Sequence, residues 1–209
     1  ATVTNSTVDI VIDGPTNAAG TITEAGFETI NVTTNDSASN HNIGLVLTND
    51  TSVTLTAGND IADFHVASTG LTTDKGLVSV VANVTGSLTT GAGTANSLVN
   101  QATDGAATLS LTSTKDLTAS ANTITVTAND GDATVNLVST TGDVNANDIK
   151  VDATDESGDT SVTVVAANDI TVLDVTQTGG KNGSITMTAG NELTVTNAID
   201  ATATTSGAA

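Results

Sequence analysis

Apolar and small polar residues alternate along most of this chain, in short runs that stop at turns of glycine, asparagine and acid. One phrase recurs: Val-Thr-Leu-Thr-Ala-Gly-Asn-Asp-Ile at Val53–Ile61, Val-Thr-Val-Val-Ala-Ala-Asn-Asp-Ile at Val162–Ile170, and Ile-Thr-Met-Thr-Ala-Gly-Asn-Glu-Leu at Ile185–Leu193. Period-two alternation with Thr, Ser and Asn at every other place predicts strands with one buried and one wet face. Helical spacing does not hold over any useful length. The Thr and Asn content also opposes helix, through stiff side chains and competition for backbone hydrogen bonds. Turn clusters such as Gly58-Asn-Asp, Asn129-Asp-Gly and Thr141-Gly-Asp separate the runs, and these residues cap their own turns or tolerate left-handed backbone.

Aligned on the first aliphatic residue of each unit, the anchors are Ile30, Val53, Val78, Leu109, Val135, Val162 and Ile185, at spacings of 23, 25, 31, 26, 27 and 23 residues. Self-similarity at a period of this size marks a repeat architecture. Two or three short strands plus turns in about 25 residues make one rung of a parallel β-helix. A lone rung cannot stand: three or four buried aliphatic side chains contribute roughly 1.5–3 kcal/mol each. Ordering its backbone costs roughly 1–2 kcal/mol per residue. Rung must therefore stack on rung. The predicted class is all-β, a parallel β-solenoid with rungs of about 25 residues. An antiparallel β-sandwich is the alternative, since it too alternates strands and turns. The chain reads as one repetitive domain over 1–209, with a weak boundary or long loop near 85–107, where Gly, Ser and Thr crowd together. The phrase fixes an expected register: Val53, Leu55, Ile61, Val135, Leu137, Val162, Val164, Ile170, Ile185, Met187, Leu193 and Val195 point inward.

Composition supports a thin aliphatic core. There is no Cys, Trp, Tyr or Arg, and only two Phe. Net charge is −19, from 23 acids against four lysines. That balance argues against nucleic acid, whose phosphates require Lys and Arg, and against an anionic membrane surface. The absence of Cys removes disulfide and thiol chemistry and fits a bacterial surface protein better than a small eukaryotic secreted one. No signal peptide is visible at Ala1 and no apolar run of about 18 residues occurs, so a mature protein or a soluble piece of a longer one is expected, without membrane insertion.

The stretch Gly183-Ser-Ile-Thr-Met-Thr-Ala-Gly-Asn-Glu-Leu-Thr-Val-Thr-Asn-Ala-Ile-Asp-Ala resembles the rungs of filamentous-haemagglutinin-type adhesins. That resemblance implies a right-handed parallel β-helix. Ala25-Gly-Phe-Glu-Thr-Ile-Asn-Val-Thr-Thr, with the Leu-Thr and Val-Thr strands and Gly-Asn-Asp turns after it, resembles calcium-dependent, RTX-related bacterial S-layer proteins. The intact G-G-x-G-x-D-x-U-x nonapeptide is absent; Gly58-Asn-Asp-Ile-Ala-Asp-Phe comes nearest.

An acid recurs just before the second strand of a unit: Asp60, Asp116, Asp143, Asp169 and Glu192. Parallel strands lie about 4.8 Å apart, and carboxylates at that spacing repel by roughly 1 kcal/mol in water. Calcium, which takes hard oxygen ligands from flexible turns, would relieve the repulsion. The plain alternative is that the acids splay into solvent and cap turn amides. The tightest local clusters are Asn59/Asp60/Asp63, Asn129/Asp130/Asp132 and Asp152/Asp155/Glu156/Asp159. Thr-x-Thr pairs such as Thr54/Thr56 and Thr186/Thr188 could form a hydroxyl array like that of an ice-binding solenoid, though ordinary β-propensity accounts for them. His41 and His65 carry no zinc-site pattern. Polysaccharide lyases also use parallel β-helices, but they need a basic residue beside the sugar acid. Here Arg is absent and Lys75, Lys115, Lys150 and Lys181 are scattered, so no enzyme is expected. The expected role is structural: an extracellular, self-assembling bacterial surface-layer or fibre subunit forming a lattice or filament, with cell-surface polysaccharide as a further partner. The runner-up is the shaft of a secreted adhesin. An open solenoid end with only a small-residue tail after Asp200 predicts that other copies, or more chain, cover the edge.

Overall fold

The computed structural model of the chain describes residues 6–13, 19–23, 28–35, 41–47, 52–68, 78–90, 98–102, 105–119, 123–154 and 158–203, of which 19–23, 47, 67–68 and 78 are described by backbone alone. The strands follow in order: β1 (Thr7–Ile12), β2 (Ala19–Thr23), β3 (Thr29–Thr34), β4 (His41–Leu47), β5 (Ser52–Ala57), β6 (Ile61–Ser68), β7 (Val78–Val84), β8 (Leu88–Thr89), β9 (Leu98–Ala102), β10 (Ala107–Ser113), β11 (Leu117–Ala119), β12 (Ile124–Ala128), β13 (Ala133–Ser139), β14 (Val144–Ala153), β15 (Thr160–Ala166), β16 (Ile170–Gly179), β17 (Gly183–Ala189) and β18 (Leu193–Thr202).

Sheet 1 stacks β1-β3-β5-β7-β10-β13-β15-β17, and the remaining strands form sheet 2. Every pairing among the described residues is parallel. The protein is thus a parallel β-solenoid, and the antiparallel sandwich is excluded. Within sheet 2 the short strands β8 and β9, like β11 and β12, lie end to end along one rung. In β14, β16 and β18 the two segments merge into ten-residue strands. Alternation of burial breaks at Asn147 and Asp148, and again at Leu173 and Asp174, which marks a bend. Each complete rung therefore has three straight segments. The Gly/Ser/Thr-rich stretch 85–107 carries β8 and β9, both in sheet 2.

Register follows the repeated phrase. One inward row runs Val8, Ile30, Val53, Val80, Leu109, Val135, Val162, Ile185, so successive turns take 22, 23, 27, 29, 26, 27 and 23 residues. One anchor is corrected. Val80, not Val78, stands opposite Val53 and Leu109, and Val78 pairs with Ala107. A slip of two residues keeps every side chain on its own face, so alternation cannot distinguish the two; a slip of one would have turned the strand inside out.

Val53, Leu55, Ile61, Val135, Leu137, Val162, Val164 and Ile170 are fully buried, and Phe64 is buried with them. Ile185 and Met187 share their inward rows but are only partly buried, and Leu193 is 49% exposed, because no further rung covers the last one described. Small residues crowd the first corner. Ser113 and Ser139 are buried there, and each donates its hydroxyl to the Lys115 carbonyl, at 2.9 and 2.5 Å. Two buried amides tie the sheets together: Asn100 Nδ2 donates to the Thr108 carbonyl at 2.8 Å and Gln177 Nε2 to the Ser184 carbonyl at 3.3 Å. The pairings place Asn100 and Gln177 in one row, and Thr108 and Ser184 in another. Outside, Thr7, Thr29, Ser52, Ser79, Thr108, Thr134, Ser161 and Ser184 form one row of hydroxyls along sheet 1.

Candidate functional site: the capped acidic corners

The recurring phrase is the first corner. Sheet 1 strands end at Ala57, Val84, Ser113, Ser139, Ala166 and Ala189, and sheet 2 resumes at Ile61, Leu88, Leu117, Val144, Ile170 and Leu193. Three residues bridge the gap in every case but one; the turn at Thr140–Asp143 has four. Backbone bonding continues through the bend. Thr114 N donates to the Val84 carbonyl at 2.9 Å going in, and Leu117 N to the Asp143 carbonyl at 2.9 Å coming out.

The last residue of each turn stacks on its counterpart, giving the order Asp60, Ser87, Asp116, Asp143, Asp169, Glu192. Each aspartate carboxylate accepts the backbone N–H of the next rung. Ser87 N lies 2.8 Å from Asp60 Oδ1, Asp143 N 3.0 Å from Asp116 Oδ1, Asp169 N 3.2 Å from Asp143 Oδ1, and Glu192 N 3.0 Å from Asp169 Oδ1. Asn191 Nδ2 adds a 2.7 Å bond to Asp169 Oδ1. Glu192 differs: its Oε1 accepts from Thr194 Oγ1 of its own rung at 3.2 Å.

The same device recurs at the other two corners. Where sheet 2 passes into sheet 1, Asp159 N donates to Asp132 Oδ1 at 2.8 Å and Asn182 N to Asp159 Oδ1 at 3.1 Å. At the bend inside sheet 2, Asp148, Asp174 and Ala198 are in register, and Ala198 N donates to Asp174 Oδ1 at 3.0 Å. The capping aspartates Asp60, Asp116, Asp143, Asp169, Asp132, Asp159 and Asp174 all reach from one rung to the next in chain order, whereas Asp148 Oδ2 accepts from Thr123 Oγ1 of the preceding rung at 3.4 Å. A charged acceptor strengthens an amide hydrogen bond, and that gain offsets the roughly 1 kcal/mol of repulsion between neighbouring exposed acids.

The sequence-predicted acids are distributed as follows. Asp116, Asp143, Asp169 and Glu192 form a consecutive column. Asp60 belongs to that column but is set off from Asp116 by Ser87. Lys115 bridges this gap from two rungs on, with Nζ 3.4 Å from Asp60 Oδ1. Gly58, Asn59, Asp60, Thr85, Gly86 and Lys115 line an open cleft of about 230 Å³ there. Asp63 lies in β6, away from the turn, and pairs with His65 at 3.4 Å. Asn129, Asp130 and Asp132 share one turn, in which Asn129 Oδ1 accepts from Thr154 Oγ1 at 3.0 Å. Of the Asp152 group, Asp155 and Glu156 lie outside the described residues, while Asp159 sits in the second column. Among the described residues no three His, Cys, Asp or Glu side chains gather as a metal-binding set. No helix among them is long and apolar enough to cross a membrane. Sequence reading missed Ser87, Asp148 and Asp174. Asn-Asp-Ile at 147–149 repeats the corner motif of 168–170 and could have pointed to the bend.

Parallel pairing, in-register rows and amide caps at three corners define the class: a parallel β-solenoid of about 26 residues per turn. Compared with protein-family models, with curated proteins and with solved structures, the chain matches none.

Proposed function

We propose that the chain is a structural component of the bacterial cell exterior, a self-assembling surface-layer or fibre subunit. The observation that carries this reading is the uniformity of the rod. Rung after rung repeats the same inward rows, outward hydroxyls and corner caps, and aspartates at the corners hold rungs together. Extension and rigidity are what such an arrangement supplies. Negative-stain images and light scattering of the purified chain test it: sheets or filaments are expected, and monomers under all conditions would overturn it.

Calcium belongs to the same proposal. Asp116, Asp143, Asp169 and Glu192 stand one rung apart on one corner, and a divalent cation bound along that column would relieve their mutual repulsion. A ligand that binds only the folded state raises its stability by mass action, so millimolar Ca²⁺ is expected to raise the melting temperature above that in chelator. The increase should exceed that given by sodium chloride of equal ionic strength. Equal effects of the two salts would leave the acids as caps and solubilising charges alone. The second reading, the shaft of a secreted adhesin, is favoured by the half-exposed Leu193 and Ile199 on the last described rung, an apolar surface on which another rung can stack.

A further inference from the structure

Charge is unevenly placed on this rod. The outward positions of sheet 1 form three rows, from Thr7 to Ser184, from Asp9 to Thr186 and from Val11 to Thr188. Asp9, on the edge strand β1, is the only charged residue of the eight strands. The rest of this face is Thr, Ser, Asn and the valines Val11, Val81, Val138 and Val165. Yet the chain carries a net charge of −19. Among the described residues the other acids lie at the corners and on sheet 2, where Asp148, Asp152 and Asp174, with Lys150, occupy the two strands β14 and β16.

Two copies of so acidic a rod repel across most orientations, because like charges brought face to face disfavour association. Sheet 1 is the broad face on which they can meet without opposing carboxylates. Eight strands about 4.8 Å apart, each contributing about six residues at about 3.3 Å, span about 35 by 20 Å. That is about 700 Å² per copy, close to the ~800 Å² per partner of a standard stable interface. We infer that sheet 1 is the lateral interface between two copies of this chain, packed face to face through its hydroxyl and valine rows in an isologous contact. The inference rests on the reading that the chain assembles with itself, and it names the surface.

Sedimentation equilibrium tests it. Ser110→Glu/Thr163→Glu puts two charges in the middle row of sheet 1. The control, Thr118→Glu/Thr171→Glu, puts two on the outer face of sheet 2. Circular dichroism and the melting temperature establish that both fold. The sheet 1 variant is expected to weaken association by about tenfold or more, and the control by less than about twofold. Mixing the sheet 1 variant with Ser110→Lys/Thr163→Lys is expected to restore association as a mixed pair. Equal loss in both variants, or unchanged association in the sheet 1 variant, overturns the assignment of this face while leaving assembly intact. A wild-type chain that stays monomeric at millimolar concentration ends the assembly reading and this one with it. If that monomer halts ice growth, the hydroxyl face belongs to ordered water.

Discussion

Asp143 both receives and supplies a cap: its amide is held by Asp116 and its carboxylate holds the amide of Asp169. Removing the carboxylate in Asp143→Ala is expected to lower stability by about 1 kcal/mol, the usual net worth of such a bond. Asp143→Asn keeps an acceptor oxygen and sheds a charge between two like neighbours. It is expected to match the wild type or slightly exceed it in urea unfolding. A loss in Asn equal to that in Ala would show that charge, not hydrogen bonding, matters there. Gly142 is bound to the same cap. A Cβ on it would collide with Asp116 Oδ1 and approach Lys115 C at 2.8 Å and Asp116 N at 2.9 Å, so Gly142→Ala is expected to cost about 1–3 kcal/mol. Combined with Asp116→Ala the cost should fall short of the sum, since both changes remove one contact. At Gly179 the reason is backbone conformation: φ is +75°, in a region where a side chain is strained.

At the scale of the element, β13 is the representative strand. It is flanked on both sides in sheet 1 by β10 and β15, and Ala133, Val135 and Leu137 are all buried. Leu137→Ala is expected to cost about 2–5 kcal/mol, transfer and cavity together. Met187→Ala, on the partly covered last rung, should cost clearly less, and equal losses at the two sites would mean that the end is covered in solution. Thermal melts of the pair decide. Strand identity and face were legible here because alternation reports them directly. The pairing partner of β7 was not, because Val78 and Val80 face the same way and only neighbouring rungs select between them.

For the whole molecule, the net charge of −19 sets up long-range self-repulsion that disfavours the compact state. Raising sodium chloride from about 10 mM to about 150 mM shortens the Debye length from about 30 to about 8 Å and should raise the melting temperature. An unchanged or lower melting temperature would mean that the caps and Lys115 already neutralise the field. A column of acids was legible in the recurring phrase; its continuity was not. Ser87 ends the Thr-Gly-Ser turn of its rung, so no acid marks that position. The bend acids Asp148 and Asp174 sit inside long strands; Asn-Asp-Ile at 147–149 is a local sign of the corner, and Leu-Asp-Val at 173–175 gives none.

The sequence by itself determined the strands, their buried faces and the stacking of similar rungs. Alternation is a local property, and a repeated apolar phrase too short to close its own core has to bury itself against the next copy. It also set the acid content of the corners. Tertiary structure alone decided which residue stands over which, that three corners and not one carry caps, and that the capping aspartates hold amides of the following rung. Those are contacts between residues more than twenty positions apart, fixed by loop lengths that vary from turn to turn. The neutral face of sheet 1 arises in the same way. Its residues are scattered through the chain, and only stacking gathers them into one surface while sending the charges elsewhere.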